Sequence, residues 1–171
     1  NGWSQLNNSS PAGPGTWDQG AGNLFNAFSG GVNSYIAVGN NSGSGISDLK
    51  NWLFSPVLNI ANGSIIKFRT RTYSYPTVTP DQLQIRVSTN GSSTQPADFS
   101  GLLLVINDSL KTTGYPGTWT EYTVQVAGLT SSGTGRIGFY YNVNNGGPQG
   151  SNSYYIGIDD VVFTEKSSRV Y

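Results

Sequence analysis

The sequence predicts an all-β protein, folded as a jelly-roll sandwich of two antiparallel sheets with an irregular N-terminal wrap. Three observations lead to this prediction. Apolar and polar residues alternate in several short stretches, as in half-buried strands. Glycine or proline interrupts nearly every candidate helix, and no window repeats its apolar residues with the helical period of about 3.6. No linker divides the 171 residues, so we expect a single domain over residues 1–171.

The strand predictions rest on local patterns and on turn signals. The stretch LLLVI is apolar throughout and predicts a buried strand, whereas Pro56 indicates an edge strand or a bulge. The dipeptide Asn90-Gly91 predicts a turn, and the composition of residues 1–34 predicts a wrap with one or two short strands. In chain order, the predicted strands lie at 34–39, 51–60, 64–75, 81–89, 102–106, 118–129, 136–143 and 154–166.

The composition excludes several classes of function. Histidine and cysteine are absent, which excludes Ser-His-Asp and Cys-His triads, zinc sites and thiol redox chemistry. Only 11% of the residues are charged and the net charge is zero, so we expect no nucleic-acid partner. No apolar run approaches the roughly 20 residues of a membrane span. The lack of oxidisable sulfur suits an extracellular or cell-surface protein, in its mature form after signal removal.

Three motifs, WLFSPVLNI, RVSTNGSS and IGIDDVVF, occur in this order along the chain. Together they resemble the motifs of the cleaved-adhesin or choice-of-anchor J family, which are MAM-like jelly-roll modules of bacterial surface and secreted proteins. The resemblance extends over nearly the whole chain. It implies a non-catalytic extracellular module for adhesion or carbohydrate contact, and some members bind structural calcium. This chain lacks the acidic residue usual in the opening strand, which weighs against calcium, and it shows no sorting tail or anchor.

Two adjacent acids, Asp159 and Asp160, interrupt the apolar strand YYIGIDDVVFTEK. Because neighbouring strand residues point to opposite faces, we expect one to point toward the core and the other outward, which rules out an acid–base pair. The inward carboxylate needs partners. It either accepts hydrogen bonds from loop N–H groups or an arginine, or binds calcium with Asp18, Asp48 or backbone carbonyls. In both alternatives one aspartate ties the N-terminal wrap to the last strand.

Basic and tyrosine side chains on the polar faces of three predicted strands form a candidate ligand-binding surface. If the strands are neighbours, guanidinium groups and tyrosine rings share one sheet face suited to sugars, carboxylates or a partner's loop. The alternative is a solvated face neutralised by Asp81, Asp108 or Glu121. The candidate residues are Lys67, Arg69, Arg71, Tyr73, Arg86, Arg136 and Tyr140.

The tryptophans are candidate platforms for stacking sugars. Trp52 and Trp119 have apolar neighbours in predicted strands, so we expect them in the core. Trp3 and Trp17 lie in the irregular wrap. They are the better platform candidates, or they pin the wrap to the sheets.

The sequence therefore predicts a non-catalytic extracellular surface protein that acts in adhesion or self-assembly, for example as a filament or surface-layer subunit. Its expected partners are copies of itself or other surface proteins. Scarce charge and few lysines on edge strands favour self-association, with residues 1–6 or 161–171 supplying a strand to a neighbouring copy. The alternative is a carbohydrate-binding module that contacts glycans through the Arg/Tyr face or exposed tryptophans. A hydrolase is a remote alternative, because no motif places two acids across a groove.

Overall fold

The computed structural model describes residues 2–73 and 79–166, and β-strands dominate this part of the chain. Its helical segments are two short 3-10 turns, Asn40–Ser42 and Pro96–Asp98. No described helix is long and apolar enough to cross a membrane. The all-β prediction is confirmed. The strands are β1 Ser4–Asn7, β2 Ser10–Ala12, β3 Asp18–Gln19, β4 Ile36–Gly39, β5 Gly43–Phe54, β6 Leu58–Ile60, β7 Ile65–Thr72, β8 Leu83–Ser88, β9 Gly101–Ile106, β10 Thr120–Gln125, β11 Gly133–Gly146 and β12 Tyr155–Thr164.

The strands form two antiparallel sheets that pack as a sandwich. The seven-stranded sheet has the order β1-β5-β11-β8-β9, with β2 pairing β5 and β6 pairing β11. The five-stranded sheet has the order β10-β7-β12-β4-β3. The predicted jelly-roll sandwich of two antiparallel sheets is thereby confirmed.

The apolar side chains that alternate with polar ones along the strands form the core between the two sheets. Phe68 on β7 and Phe139 on β11 are both 0% exposed and face each other from opposite sheets. Their ring centroids lie 5.4 Å apart at an interplanar angle of 88°, the edge-to-face arrangement that aromatic pairs favour. Ile85 and Ile158 belong to the same buried cluster. Each such side chain contributes roughly 1.5–3 kcal/mol through burial.

A buried carboxylate, Asp81, lies in the loop before β8 and is 0% exposed. Its Oδ1 accepts hydrogen bonds from the Tyr141 hydroxyl at 2.5 Å and from the Tyr154 backbone N–H at 2.9 Å. Its Oδ2 lies 2.5 Å from the Thr72 hydroxyl. Burial raises the pKa of the Asp81 carboxyl above its ordinary value. Asp81 therefore does not neutralise an exposed basic face, as the sequence had allowed.

The N-terminal wrap covers the outer face of the five-stranded sheet with residues 20–34. Phe25 packs there against Tyr35 and Trp119, at ring distances of 5.0 and 5.6 Å. The ring fits because Gly157 on β12 has no side chain: a Cβ there would lie 2.8 Å from Tyr35 and 2.9 Å from Phe25. The irregular wrap is confirmed, although it contains three short strands instead of one or two.

A second aromatic cluster covers the outer face of the seven-stranded sheet. The Trp52 ring stacks on Tyr140 at 3.9 Å and 11°, and Phe54 and Phe99 complete the cluster. Trp52 is 5% exposed, so its predicted burial is confirmed. The ring lies on the outer face, however, and not between the two sheets.

Three strand predictions differ from the structure. The apolar strand β9 is an edge strand, and its Leu102 is 50% exposed, because an apolar run does not reveal how many neighbours a strand has. Pro56 lies between β5 and β6, and β5 is an interior strand flanked by β1 and β11. The first half of β5 was missed because its GSGISDLK sequence is rich in glycine and serine.

Candidate functional site

The two aspartates of β12 both contact the N-terminal wrap. Asp159 is 8% exposed, and its Oδ2 accepts the backbone N–H groups of Phe28 at 2.8 Å and Ser29 at 3.2 Å. Asp160 is exposed, and its Oδ1 accepts the Ser29 hydroxyl at 2.6 Å. Hydrogen bonds to a carboxylate are among the strong ones in proteins. The prediction that one aspartate ties the wrap to the last strand is confirmed.

A β-bulge places both carboxylates on the outer side of the sheet. The pairing of β12 with β7 shifts register between Asp159 and Val162, and Asp160 has a left-handed φ of 51°. A short polar side chain makes that conformation accessible to aspartate. The extra residue breaks the strict alternation of faces. The expectation that one aspartate points toward the core is therefore wrong, because Ile158 takes the inward position.

The four acids proposed as calcium ligands do not converge on one point in the described part of the chain. Both oxygens of Asp159 are occupied by N–H donors, since Oδ1 accepts the N–H of Asp160 at 2.8 Å. Asp18 accepts the N–H of Gln19 at 2.7 Å, and Asp48 lies on β5 in the other sheet. No three acidic side chains converge anywhere in residues 2–73 and 79–166. The hydrogen-bonded alternative is the one that the structure contains.

The predicted Arg/Tyr surface is divided between two sheets. β7 belongs to the five-stranded sheet, whereas β8 and β11 belong to the seven-stranded sheet. The outer faces of a sandwich point in opposite directions, so these side chains form no common surface. Alternation shows which residues share a face of one strand, but not which sheet that strand joins. The residues are Lys67, Arg69, Arg71 and Tyr73 on or next to β7, Arg86 on β8, and Arg136 and Tyr140 on β11.

The two arginines of β7 hold the wrap in place. The Arg69 guanidinium lies 3.9 Å from the centroid of the Phe28 ring, and the Arg71 guanidinium lies 4.5 Å from that of Phe25. Arg69 also pairs with Glu121 at 2.7 Å. Cations over aromatic faces are attracted electrostatically. These contacts cover the β7 arginines, and Glu121 neutralises Arg69, as one alternative had it.

The two arginines of the seven-stranded sheet donate hydrogen bonds to backbone carbonyl groups. Arg136 donates hydrogen bonds to the carbonyl of Gly2 at 2.9 Å and to that of Ser55. Arg86 donates to the carbonyl of Phe99 at 3.2 Å. Arg136 thereby holds the segment before β1, and Arg86 holds the turn that covers Trp52. All four arginines are thus engaged within the molecule.

The two tryptophans of the wrap differ in exposure. Trp17 is 1% exposed, and its indole N–H donates to the Asn51 carbonyl at 3.3 Å. It pins the wrap, so the structure corrects its assignment as a sugar platform. Trp3 is 39% exposed and lies 6.1 Å from the Phe139 ring, at the rim of the space between the sheets. Trp119 was expected in the core, but it is only half-buried and packs against the wrap on the outer face of the five-stranded sheet.

A depression of about 320 Å³, which the sequence did not predict, combines an exposed aromatic ring with amide side chains. Tyr154 is 39% exposed, and its ring stacks on Tyr73 at 5.4 Å and 23°. Asn41 is exposed and Asn40 is half-buried. We call this site the Tyr154 depression. It is lined by Leu24, Gly39, Asn40, Asn41, Tyr154 and Tyr155.

The backbone of Tyr154 is fixed on both sides. Its N–H donates to the buried Asp81 carboxyl at 2.9 Å, and its carbonyl accepts the N–H of Asn40 at 2.9 Å. The second bond joins the loop before β12 to the 3-10 turn that follows β4. A rigid platform loses little conformational freedom when it binds a ligand, so the ring is preorganised.

The chemistry of the Tyr154 depression suits binding and not catalysis. No carboxylate or basic group lines it, so general acid–base chemistry has no participant there. An aromatic face packs against apolar C–H groups, and amides both donate and accept hydrogen bonds. Ligand pockets commonly combine apolar walls with a few placed polar groups. The tyrosine pair in the Asn/Ser-rich stretch SNSYY was the sequence signal for this site.

Comparisons with known proteins identify the fold. No protein-family model matches the sequence, and no curated protein matches it either. The K1 cleaved adhesin domain of Lys-gingipain from Porphyromonas gingivalis W83 superposes with a TM-score of 0.69, at 18% identity, over 97% of this chain and 92% of that chain. The fold is that of cleaved adhesin domains. The resemblance inferred from the motifs is confirmed at this level.

Other proteins with this sandwich have different roles. A family 11 carbohydrate-binding module from Clostridium thermocellum, in complex with a β-1,3-1,4-mixed-linked tetrasaccharide, matches with a TM-score of 0.51 at 11% identity, over 96% of this chain and 89% of that chain. An arabinose-bound α-L-arabinofuranosidase matches with a TM-score of 0.53 at 10% identity, over 95% of this chain but 23% of the enzyme. A shared fold does not assign a function.

Proposed function

We propose that this chain is a non-catalytic extracellular or cell-surface module that acts in adhesion by binding a ligand in the Tyr154 depression. The observation that supports the proposal is the exposed ring of Tyr154, backed by Tyr73 and held by two backbone hydrogen bonds, beside Asn40 and Asn41. A rigid aromatic surface beside amides whose side chains make no hydrogen bond within residues 2–73 and 79–166 is suited to ligand binding. The extracellular setting is supported by the absence of cysteine and methionine.

The placement of the acidic side chains supports a non-catalytic role. Glycoside hydrolysis uses two carboxyl groups roughly 5–9.5 Å apart that flank the scissile bond. Asp81, Asp159 and Asp160 instead accept hydrogen bonds within the fold, and Glu121 pairs with Lys67 and Arg69. The Tyr154 depression contains no carboxylate.

Among possible ligands, the geometry favours a glycan. The C–H face of a sugar ring can pack on Tyr154, while its hydroxyl groups bond to the amides of Asn40 and Asn41. The depression carries no charge, so it offers nothing specific to an ionic ligand. This proposal replaces the Arg/Tyr face of the sequence prediction with a different surface of the same sandwich.

A glycan array tests the proposal. The wild-type domain is expected to bind at least one class of neutral glycan, and Tyr154→Ala is expected to weaken binding by roughly tenfold or more. Tyr154→Phe keeps the ring and should retain most of the affinity. Val162→Ala, on the exposed outer face of β12, serves as the matched control. An array without any bound glycan, or equal binding by Tyr154→Ala, would overturn the glycan assignment.

A further inference from the structure

One side of β12 lacks a neighbouring strand over the second half of its length. On this side β4 pairs with β12 only as far as Ile158, which lies opposite Ile36. On the other side β7 continues to pair with β12 as far as Thr164. Within residues 2–73 and 79–166, no further strand pairs with residues 161–164. Because strands of a sheet bond through their backbones, this stretch presents unpaired N–H and C=O groups on its open side.

The same stretch of β12 lines an apolar groove between the two sheets. The groove measures about 240 Å³, and Val161 and Phe163 belong to its wall on the five-stranded sheet. Both side chains are half-buried, whereas Val162 between them is 52% exposed on the outer face. We call this space the Trp3 groove. Its opposite wall consists of Trp3, Ser55, Pro56, Leu58, Ile137 and Phe139.

Trp3 covers the rim of the groove without filling it. Its indole lies 6.1 Å from the Phe139 ring, measured between centroids, and the residue is 39% exposed. Successive side chains of a strand alternate between the two faces of its sheet. A strand added next to β12 would therefore direct every second side chain between the sheets, into the Trp3 groove. A space of about 240 Å³ accommodates one large apolar side chain, such as that of leucine or phenylalanine.

Polar side chains lie at both ends of the open stretch. Before it, Asn33 and Asp160 line a shallow depression of about 360 Å³ next to the β12 bulge. After it, Asn59 and Glu165 line a second depression of about 350 Å³. With the Trp3 groove between them, these depressions follow one another along residues 158–166, a length of roughly 26 Å at about 3.3 Å per residue. We call the three together the β12 trough.

We propose that the β12 trough binds an extended segment of a protein partner, which adds a strand to the open side of β12. The unpaired backbone of residues 161–164 selects an extended polypeptide, because a strand offers main-chain donors and acceptors at the matching spacing. The Trp3 groove selects one large apolar side chain in the middle of that segment. The polar depressions select hydrophilic residues on either side of it. The length of the trough corresponds to a segment of about eight residues.

The β12 trough is separate from the surface proposed to bind a glycan. The Tyr154 depression lies at the first residues of β12, where β4 pairs with that strand. The trough lies at the last residues of β12, and the two sites have no lining residue in common. Binding of a protein segment goes beyond the proposed function, so either proposal can fail alone.

Selection from a display library of random twelve-residue peptides is the first test. The wild-type domain is expected to select peptides with one large apolar residue between polar ones. Val161→Asp places a carboxylate in the Trp3 groove and should weaken their binding by roughly tenfold or more. Ile46→Asp is the matched control, because Ile46 is 60% exposed on β5, outside the trough, and the same change there should leave binding intact. A wild-type domain that selects no peptide, or a folded Val161→Asp variant that binds equally well, overturns the proposal.

N-methylation of a selected peptide tests strand addition without any change in the domain. In an antiparallel pair, every second residue of a strand directs its N–H group toward the neighbouring strand. Methylation should therefore abolish binding at alternate positions of the peptide and be tolerated at the positions between them. The bound peptide should also slow hydrogen exchange within residues 161–164 of the wild-type domain. A methylation profile without this alternation, or unchanged exchange in this stretch, contradicts strand addition.

Three further measurements separate a protein partner from other occupants of the trough. Removal of residues 167–171 should leave peptide affinity unchanged, and a clear gain in affinity would assign the trough to that segment and overturn the proposal. Sedimentation of the chain alone tests for a second copy, since a dimer that Val161→Asp disrupts would also overturn it. Tyr154→Ala is expected to bind the selected peptides as the wild type does, which separates a failure of the glycan proposal from a failure of this one.

Discussion

The carboxylate of Asp159 accepts the backbone N–H of Phe28 at 2.8 Å, which joins residues 131 positions apart in the sequence. This bond connects the last strand with the segment that covers the outer face of the five-stranded sheet. The aromatic ring of Phe28 lies over Arg69 on the neighbouring strand, so the same segment is held from two sides. The wrap is therefore a part of the fold, and its attachment can be measured.

Loss of the Asp159 carboxylate should destabilise the domain more than loss of Asp160. Asp159→Ala leaves the N–H groups of Phe28 and Ser29 without their acceptor, at an expected loss of about 2–3 kcal/mol in the free energy of unfolding. Asp160→Ala removes one exposed hydrogen bond and a solvent-exposed ion pair with Arg69 at 3.8 Å, and should change the free energy of unfolding by less than about 1 kcal/mol. Urea unfolding measures both values. Equal effects would contradict the assigned roles.

Calcium should have no effect on stability. Both oxygens of Asp159 are occupied by N–H donors, and Asp18 and Asp48 lie elsewhere. The melting temperature in excess calcium should therefore equal that in excess chelator. A clear rise in melting temperature with calcium would show that the carboxylates regroup around the ion and would refute the hydrogen-bonded account.

Burial favours the protonated form of the Asp81 carboxyl, and the hydrogen bonds of Thr72 are compatible with that form. The Thr72 hydroxyl lies 2.5 Å from Asp81 Oδ2 and 3.1 Å from the Tyr155 carbonyl, and its single proton can serve only one of these acceptors. If Asp81 donates its proton to Thr72, the threonine can donate to Tyr155, and every group has a partner. This arrangement agrees with the raised pKa of the buried carboxyl.

This network predicts how stability depends on pH. Because the folded-state pKa of Asp81 is raised above its ordinary value of 3.8, its contribution is fully present below about pH 3.8 and is lost as the pH rises through the folded-state pKa. Asp81→Asn donates to Thr72 at every pH. The stability of the wild type relative to Asp81→Asn should therefore fall with rising pH, as measured by urea unfolding. A difference that is constant or increases with pH would contradict this account.

An alanine at Gly157 should displace the wrap. Its Cβ would lie within 3 Å of the rings of Tyr35 and Phe25, which pack closely and cannot yield easily. We expect a loss of about 1–3 kcal/mol in the free energy of unfolding. Gly31→Ala is the matched control, since its Cβ meets only the Ser34 hydroxyl, at 3.4 Å. If both variants unfold at the same denaturant concentration, the wrap does not depend on this close approach.

Local patterns in the sequence predicted the fold well, because alternation depends on neighbouring residues. It placed Phe68 and Phe139 in the core, and the cost of a buried carboxylate predicted the bond from Asp159 to the wrap. Alternation could not show that β7 and β8 belong to different sheets. For this reason Arg69 and Arg86 lie on different faces of the sandwich, although the sequence predicted a common surface. Alternation also fails at a bulge, where Asp160 adds one residue to the strand.

The sequence did not predict the Tyr154 depression, for a related reason. Its aromatic ring and its amides come from segments more than a hundred residues apart, joined by one hydrogen bond from Asn40 to the Tyr154 carbonyl. Neither segment has a recognisable motif, and the tyrosine pair of SNSYY does not show which amides lie beside it. Only the pairing of β12 with β4 brings the two together.

Chemical-shift mapping with a glycan probe tests ligand binding in the Tyr154 depression most directly. A β-1,3-1,4-mixed-linked tetrasaccharide is titrated into the isotopically labelled domain, together with the neutral glycans selected by the array. Saturable shifts are expected at Asn40, Asn41 and Tyr154, lost in Tyr154→Ala, with the probe recovered intact. Shifts confined to another face, no shifts with any of these glycans, or cleavage of the probe would contradict this proposal.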